Sequence, residues 1–333
     1  MNLKRKTTEI MVYISLPEDS VRPLSFYLAM EEHVARNINE YDCFFQWQVE
    51  PSVIFGRNQL IENEVNIDFC RRNGIKMFRR KSGGGCVYAD MNNIMFSYIT
   101  SEESVGFTFN RYINTIIHIL RKLGVEATTS GRNDILVDSK KVSGNAFYHI
   151  PGRNIVHGTM LYDTDMHNMV GSITPSDEKL MSKGIKSTRQ RITLLKDYIS
   201  LDINEFKEYV KTNLCEHEVT LTCDDIKQIK DIEKEYLSDD FIYGNNPKYT
   251  ITKRKRIEHT GDFELRMDVK NNIIKNIEIL GDFLVTGDID RSIVNKLKNV
   301  KLDKESLEKA LPEQLDDVIM NLNKNDFINI IIS

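Results

Sequence analysis

Apolar positions in the first two hundred residues alternate between short β-type runs and stretches with helical spacing. MVYISL at 11–16 predicts a strand. LSFYLAMEEHVARNI at 24–38 places apolar side chains three and four apart and predicts a helix, and SVIFGR at 52–57 predicts a strand running into a turn. VNIDFCRRNG predicts a helix closed at Gly74, where glycine tolerates a left-handed cap. IKMF then predicts a strand that leads into RRKSGGGCVYAD, residues 79–90, after which CVY and NIMFSYIT predict two more strands. FNRYINTIIHILRKL at 109–123 is the clearest amphipathic helix, stopped at Gly124. DILV, KKVSGNAFYHI and NIVHGTMLYD predict three strands, with GRND and PGRN as turns. Meandering strands with interleaved helices predict an α+β fold rather than a doubly wound parallel sheet.

Beyond about residue 165 the pattern becomes helical and charged, as in NEFKEYVKTNL and DDIKQIKDIEKEYL. LSDDFIYGNNPKY is polar and turn-rich and predicts a linker, giving domains at 1–245 and 246–333. In the second, TITKRKRIEH, FELRMDVK and IIKNIEIL predict hairpin-connected strands, followed by helices near 288–298 and 303–320. That describes a small α+β domain of about 85 residues, large enough to fold as a unit.

Composition narrows the classes. With 333 residues, 41% hydrophobic and 28% charged, the chain suits a globular protein, and a net charge of −4 gives no global positive field for nucleic acid or an anionic membrane. Five cysteines without a C-x-x-C pair predict neither a disulfide framework nor a zinc site. MVYISL is too short for a signal-peptide core, and no window approaches the roughly 20 apolar residues of a membrane span, so a cytoplasmic protein is expected.

Three segments carry candidate chemistry. RRKSGGGCVYAD is not a Walker loop, because its lysine precedes the glycines and a strand follows them; it also lacks the G-x-G-x-x-G of a dinucleotide site. It reads either as a loop whose N–H groups converge on an anion, with charge from Arg79, Arg80 and Lys81, or as a hairpin with ordinary surface cations. In GRNDILVDSKKVSGNA (131–146), Lys141 precedes Val-Ser-Gly on a strand; alone, such a lysine reads equally as solvent-facing. In NIVHGTMLYD, His157 and Gly158 interrupt an apolar strand, where a histidine is commonly a hydrogen-bonded core residue.

Taken in order, RRKSGGGCVYAD, GRND, KVSGNA, HGTML and KGIKSTRQRITLL resemble the lipoate–protein ligase family, within the group that includes biotin–protein ligases and is distantly similar to class II aminoacyl-tRNA synthetases. The resemblance spans about residues 10–200 and, more loosely, an accessory C-terminal domain. It implies that lipoate and ATP, with Mg²⁺, form lipoyl-adenylate, and that a lysine of an acceptor then displaces AMP. The implied acceptor is an E2 lipoyl domain or the glycine cleavage H protein, and the implied enzyme is a monomer. On this resemblance Arg80, Ser82, Gly83, Gly84, Gly85, Cys86, Val87 and Tyr88 hold the nucleotide, Asn133 and Asp134 line the adenylate pocket, and Lys141 is catalytic, touching the lipoate carboxylate and the α-phosphate. Arg80, His157 and Gly158 belong to the lipoate pocket, Asp134 is a candidate Mg²⁺ ligand, and Lys183 and Lys186 are candidate adenylate contacts. The pattern departs at Ala89, where family members commonly carry histidine, and at Asn92, where they carry glycine. Cys86 supports a rival, an ATP-independent acyltransferase working through a thioester; Ala89 supports a noncatalytic lipoyl-carrier binding or regulatory protein.

Overall fold

The computed structural model describes residues 10–332 apart from 19, 39–41, 60, 102–103, 131–132, 174–190, 243–250 and 271. In chain order, the N-terminal part runs β1 (Met11–Ser15), α1 (Leu24–Asn37), β2 (Asp42–Trp47), β3 (Ser52–Phe55), α2 (Ile61–Glu64), α3 (Ile67–Arg72), β4 (Lys76–Arg79), β5 (Val87–Ala89) and β6 (Asn93–Thr100). It continues through α4 (Val105–Lys122), β7 (Ala127–Thr129), β8 (Asp134–Val137), β9 (Lys140–Ile150), β10 (Arg153–Leu161), α5 (Met166–Ser172), α6 (Ile203–Leu214), β11 (His217–Thr220), α7 (Cys223–Tyr236) and α8 (Asp239–Ile242).

An eight-stranded mixed sheet has the order β11-β1-β2-β6-β10-β9-β8-β7, parallel across β11, β1 and β2 and antiparallel elsewhere. Strand side chains alternate between faces, so β6 sends Phe96 and Tyr98 to one core and Met95 and Ile99 to the other. The first core is closed by α4, whose Phe109, Tyr112, Ile113, Ile116 and Leu120 are each 3% exposed or less. At about 1.5–3 kcal/mol per buried large side chain, that stripe is the main reason the helix docks. The second core is closed by α1 and α7; α7 is started by a capping box between Thr222 and Asp225. A separate three-stranded sheet, β4-β3-β5, carries the glycine stretch in the connection from β4 to β5.

The C-terminal elements are β12 (Ile251–Ile257), β13 (Gly261–Lys270), β14 (Ile273–Gly281), a π-helical turn at Asp290–Val294 running into α9 (Asn295–Leu297), α10 (Lys304–Ala310) and α11 (Lys324–Ile332). They enclose a core of their own around Phe263, Leu265, Phe283, Leu307 and Phe327. The expected helix over 303–320 stops at Ala310: Pro312 disfavours a helical Leu311, which takes ψ 146° instead. Strands β2, β7 and β11 and helix α11 were not predicted. β2 has five of six residues buried, so no alternation marks it. Within the predicted linker, Asp239–Ile242 is helical, and the boundary at 245–246 lies outside the described residues.

Candidate functional site

The glycine loop is shaped by the cations that precede it. The Arg80 guanidinium, 5% exposed, donates to the carbonyls of Ile54 (2.9 Å), Gly83 (2.7 Å) and Gly85 (2.8 Å) and to Ser82 Oγ (2.9 Å). Burial lowers its pKa to about 10, which leaves it charged at neutral pH. Arg79 donates to the carbonyls of Arg57, Gln59 and Ile242 and lies over the Phe55 ring. Lys81 bridges Glu32 (2.8 Å) and Glu235 (2.7 Å), tying the loop base to α1 and α7. All three cations therefore make contacts that fold the loop. Glycine is required where the loop meets its neighbours. A Cβ on Gly56 would lie 2.2 Å from Gly84 O, and Gly84 itself has φ +90°. On its outer side, Gly84 N–H donates to Phe283 O of the C-terminal part (2.7 Å), and a Cβ on Gly83 would meet that same oxygen at 2.5 Å.

The second motif is a hairpin. Asp138 (φ 50°) and Ser139 (φ 62°) form a two-residue left-handed turn between β8 and β9, the geometry that matches the twist of a tight hairpin. A bulge follows, since Ile135 pairs with Ser143 but Leu136 pairs with Lys141. Lys141 Nζ lies 2.8 Å from Asp134 Oδ1, with the side chains 33% and 27% exposed. A Cβ on Gly144 would sit 2.6 Å from that Nζ, so this glycine makes room for the lysine head. Asn133 and Asn145 are locked by reciprocal bonds: Asn133 Nδ2 donates to Asn145 O (2.9 Å), and Asn145 Nδ2 to Asn133 O (3.0 Å). Gly158 stands opposite Asn145 on β10, where a Cβ would approach Asn145 Oδ1 to 1.9 Å.

These two motifs face one cavity. It is lined by Arg80, Gly84, Gly85, Cys86, Asn133, Lys141, Asn145, His157 and Gly158 on its polar side and by Leu28, Trp47, Ile54, Val87 and Met95 on its apolar side. Thus Arg80, Gly84, Gly85, Cys86, Val87, Asn133, Lys141, His157 and Gly158 are brought together as expected residues of one site. Asp134 reaches it through Lys141, and Ser82 through His157, whose Nε2 is 2.6 Å from Ser82 Oγ. Gly83 faces Phe283 and Val285 instead, and the Tyr88 side chain turns into a core with Val53 and Phe55. Ala89 packs in the core under α1 and does not line the cavity, so the missing imidazole does not empty the cavity wall. Burial, and secondarily Glu64, push the Cys86 thiol well above its usual range despite nearby Arg80. Lys183 and Lys186 lie outside the described residues.

Apart from Val87, sequence reasoning missed the apolar wall, and it missed Glu31. Leu28, Trp47, Ile54 and Met95 come from α1, β2, β3 and β6, elements that show no local signature of a site. Glu31, fully buried on α1, accepts from His157 Nδ1 at 2.9 Å, across 126 positions of sequence.

An apolar slot beside a glycine loop and a lysine suits an acyl chain with a charged head group. Two family models match the chain: the lipoyl protein ligase A/B catalytic domain over residues 23–215 and the bacterial lipoate protein ligase C-terminus over residues 246–331. Lipoate-protein ligase LplJ of Bacillus subtilis is 34% identical over 323 residues, covering 91% of this chain and 95% of that protein. Lipoate–protein ligase 1 of Staphylococcus aureus is 36% identical over 295 residues, covering 86% and 89%. Among solved structures, P. falciparum LipL1 in complex with lipoate shares the fold, with a TM-score of 0.73 at 22% identity over 97% of this chain and 99% of that one. A bi-partite lipoate protein ligase from Thermoplasma acidophilum, studied with its E2 lipoyl domain, has a TM-score of 0.64 at 26% identity, covering 73% of this chain and all of that one. The chain belongs to the lipoate–protein ligase family.

Proposed function

We propose that this enzyme activates lipoate with ATP and transfers the lipoyl group to a lysine of an acceptor protein, an E2 lipoyl domain or a glycine cleavage H protein. The observation that carries the reading is Lys141, held by one partly exposed carboxylate at the mouth of an apolar slot. Leu28, Trp47, Ile54, Val87 and Met95 take the aliphatic tail and dithiolane, where burial at roughly 25 cal/mol per Å² supplies affinity. The carboxylate then lies at the polar end, where Lys141 neutralises it and the α-phosphate together. Carboxylate oxygen attacks that phosphorus, pyrophosphate leaves, and Lys141 stabilises the charge on the pentavalent centre. In the second step the neutral ε-amine of the acceptor attacks the acyl carbon, AMP departs with the bonding electrons, and the amine proton is lost to solvent.

Arg80 acts on the nucleotide through the loop it shapes. Asn133 and Asn145, mutually locked, are rigid walls of the adenylate pocket. Among the described residues no three His, Cys, Asp or Glu side chains converge as a metal site. A Mg²⁺ would therefore lean on the substrate phosphates with Asp134 as its protein contact, where it would neutralise phosphate charge. No helix among the described residues is long and apolar enough to cross a membrane.

The test is to incubate the protein with lipoate, Mg²⁺ and a lipoyl-acceptor domain, with and without ATP, and follow acceptor mass and pyrophosphate. Lipoylation with pyrophosphate release only when ATP is present is expected. Modification from an acyl-protein donor without ATP, lost in Cys86→Ala but retained in Lys141→Ala, would sink the reading.

A further inference from the structure

Glu31 joins the two halves of the site through two hydrogen-bonded arms. On one side the Trp47 indole, a donor only, gives its Nε1–H to Ser97 Oγ (2.9 Å), and Ser97 gives its own proton to Glu31 Oε1 (2.6 Å). On the other side Arg80, again a donor only, gives Nε–H to Ser82 Oγ (2.9 Å). Glu31 Oε2, a carboxylate oxygen that only accepts, takes the imidazole Nδ1–H (2.9 Å). With the imidazole's single proton there, Nε2 accepts from Ser82 Oγ (2.6 Å). Both arms run one way and end on a single carboxylate that is 0% exposed.

We propose that Glu31 is a positioning residue: by accepting from both arms it fixes the Trp47 wall of the acyl slot and, through the His157 tautomer and Ser82, the Arg80 clamp of the phosphate loop. This rests on the function proposed above. The series begins at Trp47 and Arg80, which both line the cavity, and runs through Ser97, Glu31, His157 and Ser82. Arg80 in turn holds Gly83 and Gly85. Glu31→Gln keeps the shape but leaves one acceptor oxygen for the two arms. With its N–H turned to His157, the imidazole takes the Nε2–H tautomer, Ser82 Oγ accepts from both Arg80 and His157, and the Ser82 proton loses its acceptor.

The test begins with long-range ¹H–¹⁵N NMR of histidine-labelled full-length protein, the His157 signal assigned by its loss in His157→Asn. Protonated Nδ1 and bare Nε2 are expected in the unsubstituted protein, reversed in Glu31→Gln. Kinetically, Glu31→Gln should raise the KM values for both ATP and lipoate about tenfold, the scale of one lost buried hydrogen bond. Ser97→Ala should raise the lipoate value alone, and Ser82→Ala the ATP value alone. Because Trp47 is the chain's single tryptophan, its emission titrated with lipoate reads the slot without turnover. An Nε2–H tautomer in the unsubstituted protein overturns the proposal, as does a reversed tautomer with both KM values unchanged. If Glu31→Gln fails to fold, Ser82→Ala and Ser97→Ala altering the same substrate, or neither, overturns it. An unsubstituted protein that shows the expected tautomer but no ATP-dependent lipoylation would defeat the proposed function instead.

Discussion

Arg80 and Lys141 line the same cavity and come from the two clearest motifs of the chain, yet they occupy opposite physical states. Arg80 is 5% exposed, with its guanidinium given to three carbonyls and a hydroxyl. Lys141 is one-third exposed and paired with one carboxylate, Asp134. A planar fork of donors suits the inside of a loop, where carbonyls converge from fixed directions; a compact ammonium on a flexible stem suits an exchange of partners. Positive charge in a motif therefore does not by itself mark the group that meets the substrate. One cation builds the surface, and the other, on the function proposed above, works on it.

Substituting Lys141 should separate chemistry from stability most sharply. Lys141→Met removes the charge from the reacting centre and should slow adenylate formation by about a thousandfold, the scale of losing a fixed electrostatic donor. The ion pair it abandons is partly solvated and worth at most about 1 kcal/mol, so thermal unfolding should hardly move. Pyrophosphate release measured beside calorimetry checks both halves. A large drop in Tm would break the contrast.

Arg80→Met should show the reverse order of effects. The carbonyls of Ile54 and Gly83 would stay buried without their donor, and at about 1–3 kcal/mol for each unsatisfied buried group the variant should lose roughly 2–5 kcal/mol of stability. Activity should fall as a consequence, and urea unfolding beside ATP titration would show it. Full stability with a raised KM for ATP would mean that Arg80 meets phosphate directly.

Why the motif was legible and the role was not follows from what sequence encodes. Three glycines between strands announce a backbone with unusual freedom, and Gly84 at φ +90° uses it. Which groups Arg79, Arg80 and Lys81 reach depends on Ile54, Gln59, Glu32, Glu235 and Ile242, residues set beside the loop only by the folded sheet and helices. The same limit hid Glu31 from His157. β6 and β10, buried throughout, were readable as unbroken β-type runs set off by polar turns. The π-turn at Asp290–Val294 and the short α9 were approximated as a helix near 288–298, since both bury the same face against β14.

Cys86 makes the smallest expected change and the most direct check on the comparison, because it lines the cavity with Arg80 and Lys141. Burial and Glu64 hold its thiol protonated, and the nearby Arg80 charge, already engaged with carbonyls, does not offset them. Thiolate, not thiol, is the nucleophile, so at pH 8 iodoacetamide should label the exposed Cys223 and leave Cys86 unmodified, as peptide mass spectrometry would read. Because Cys86 stays a thiol at neutral pH and above, the rate should show no inflection from it between about pH 6 and 9. Cys86→Ala should change ATP-dependent turnover by no more than about threefold, corresponding to a modest repacking of the cavity wall. Rapid alkylation of Cys86, or turnover abolished by the substitution with Lys141 intact, would move the chemistry from the exchangeable cation to the thiol.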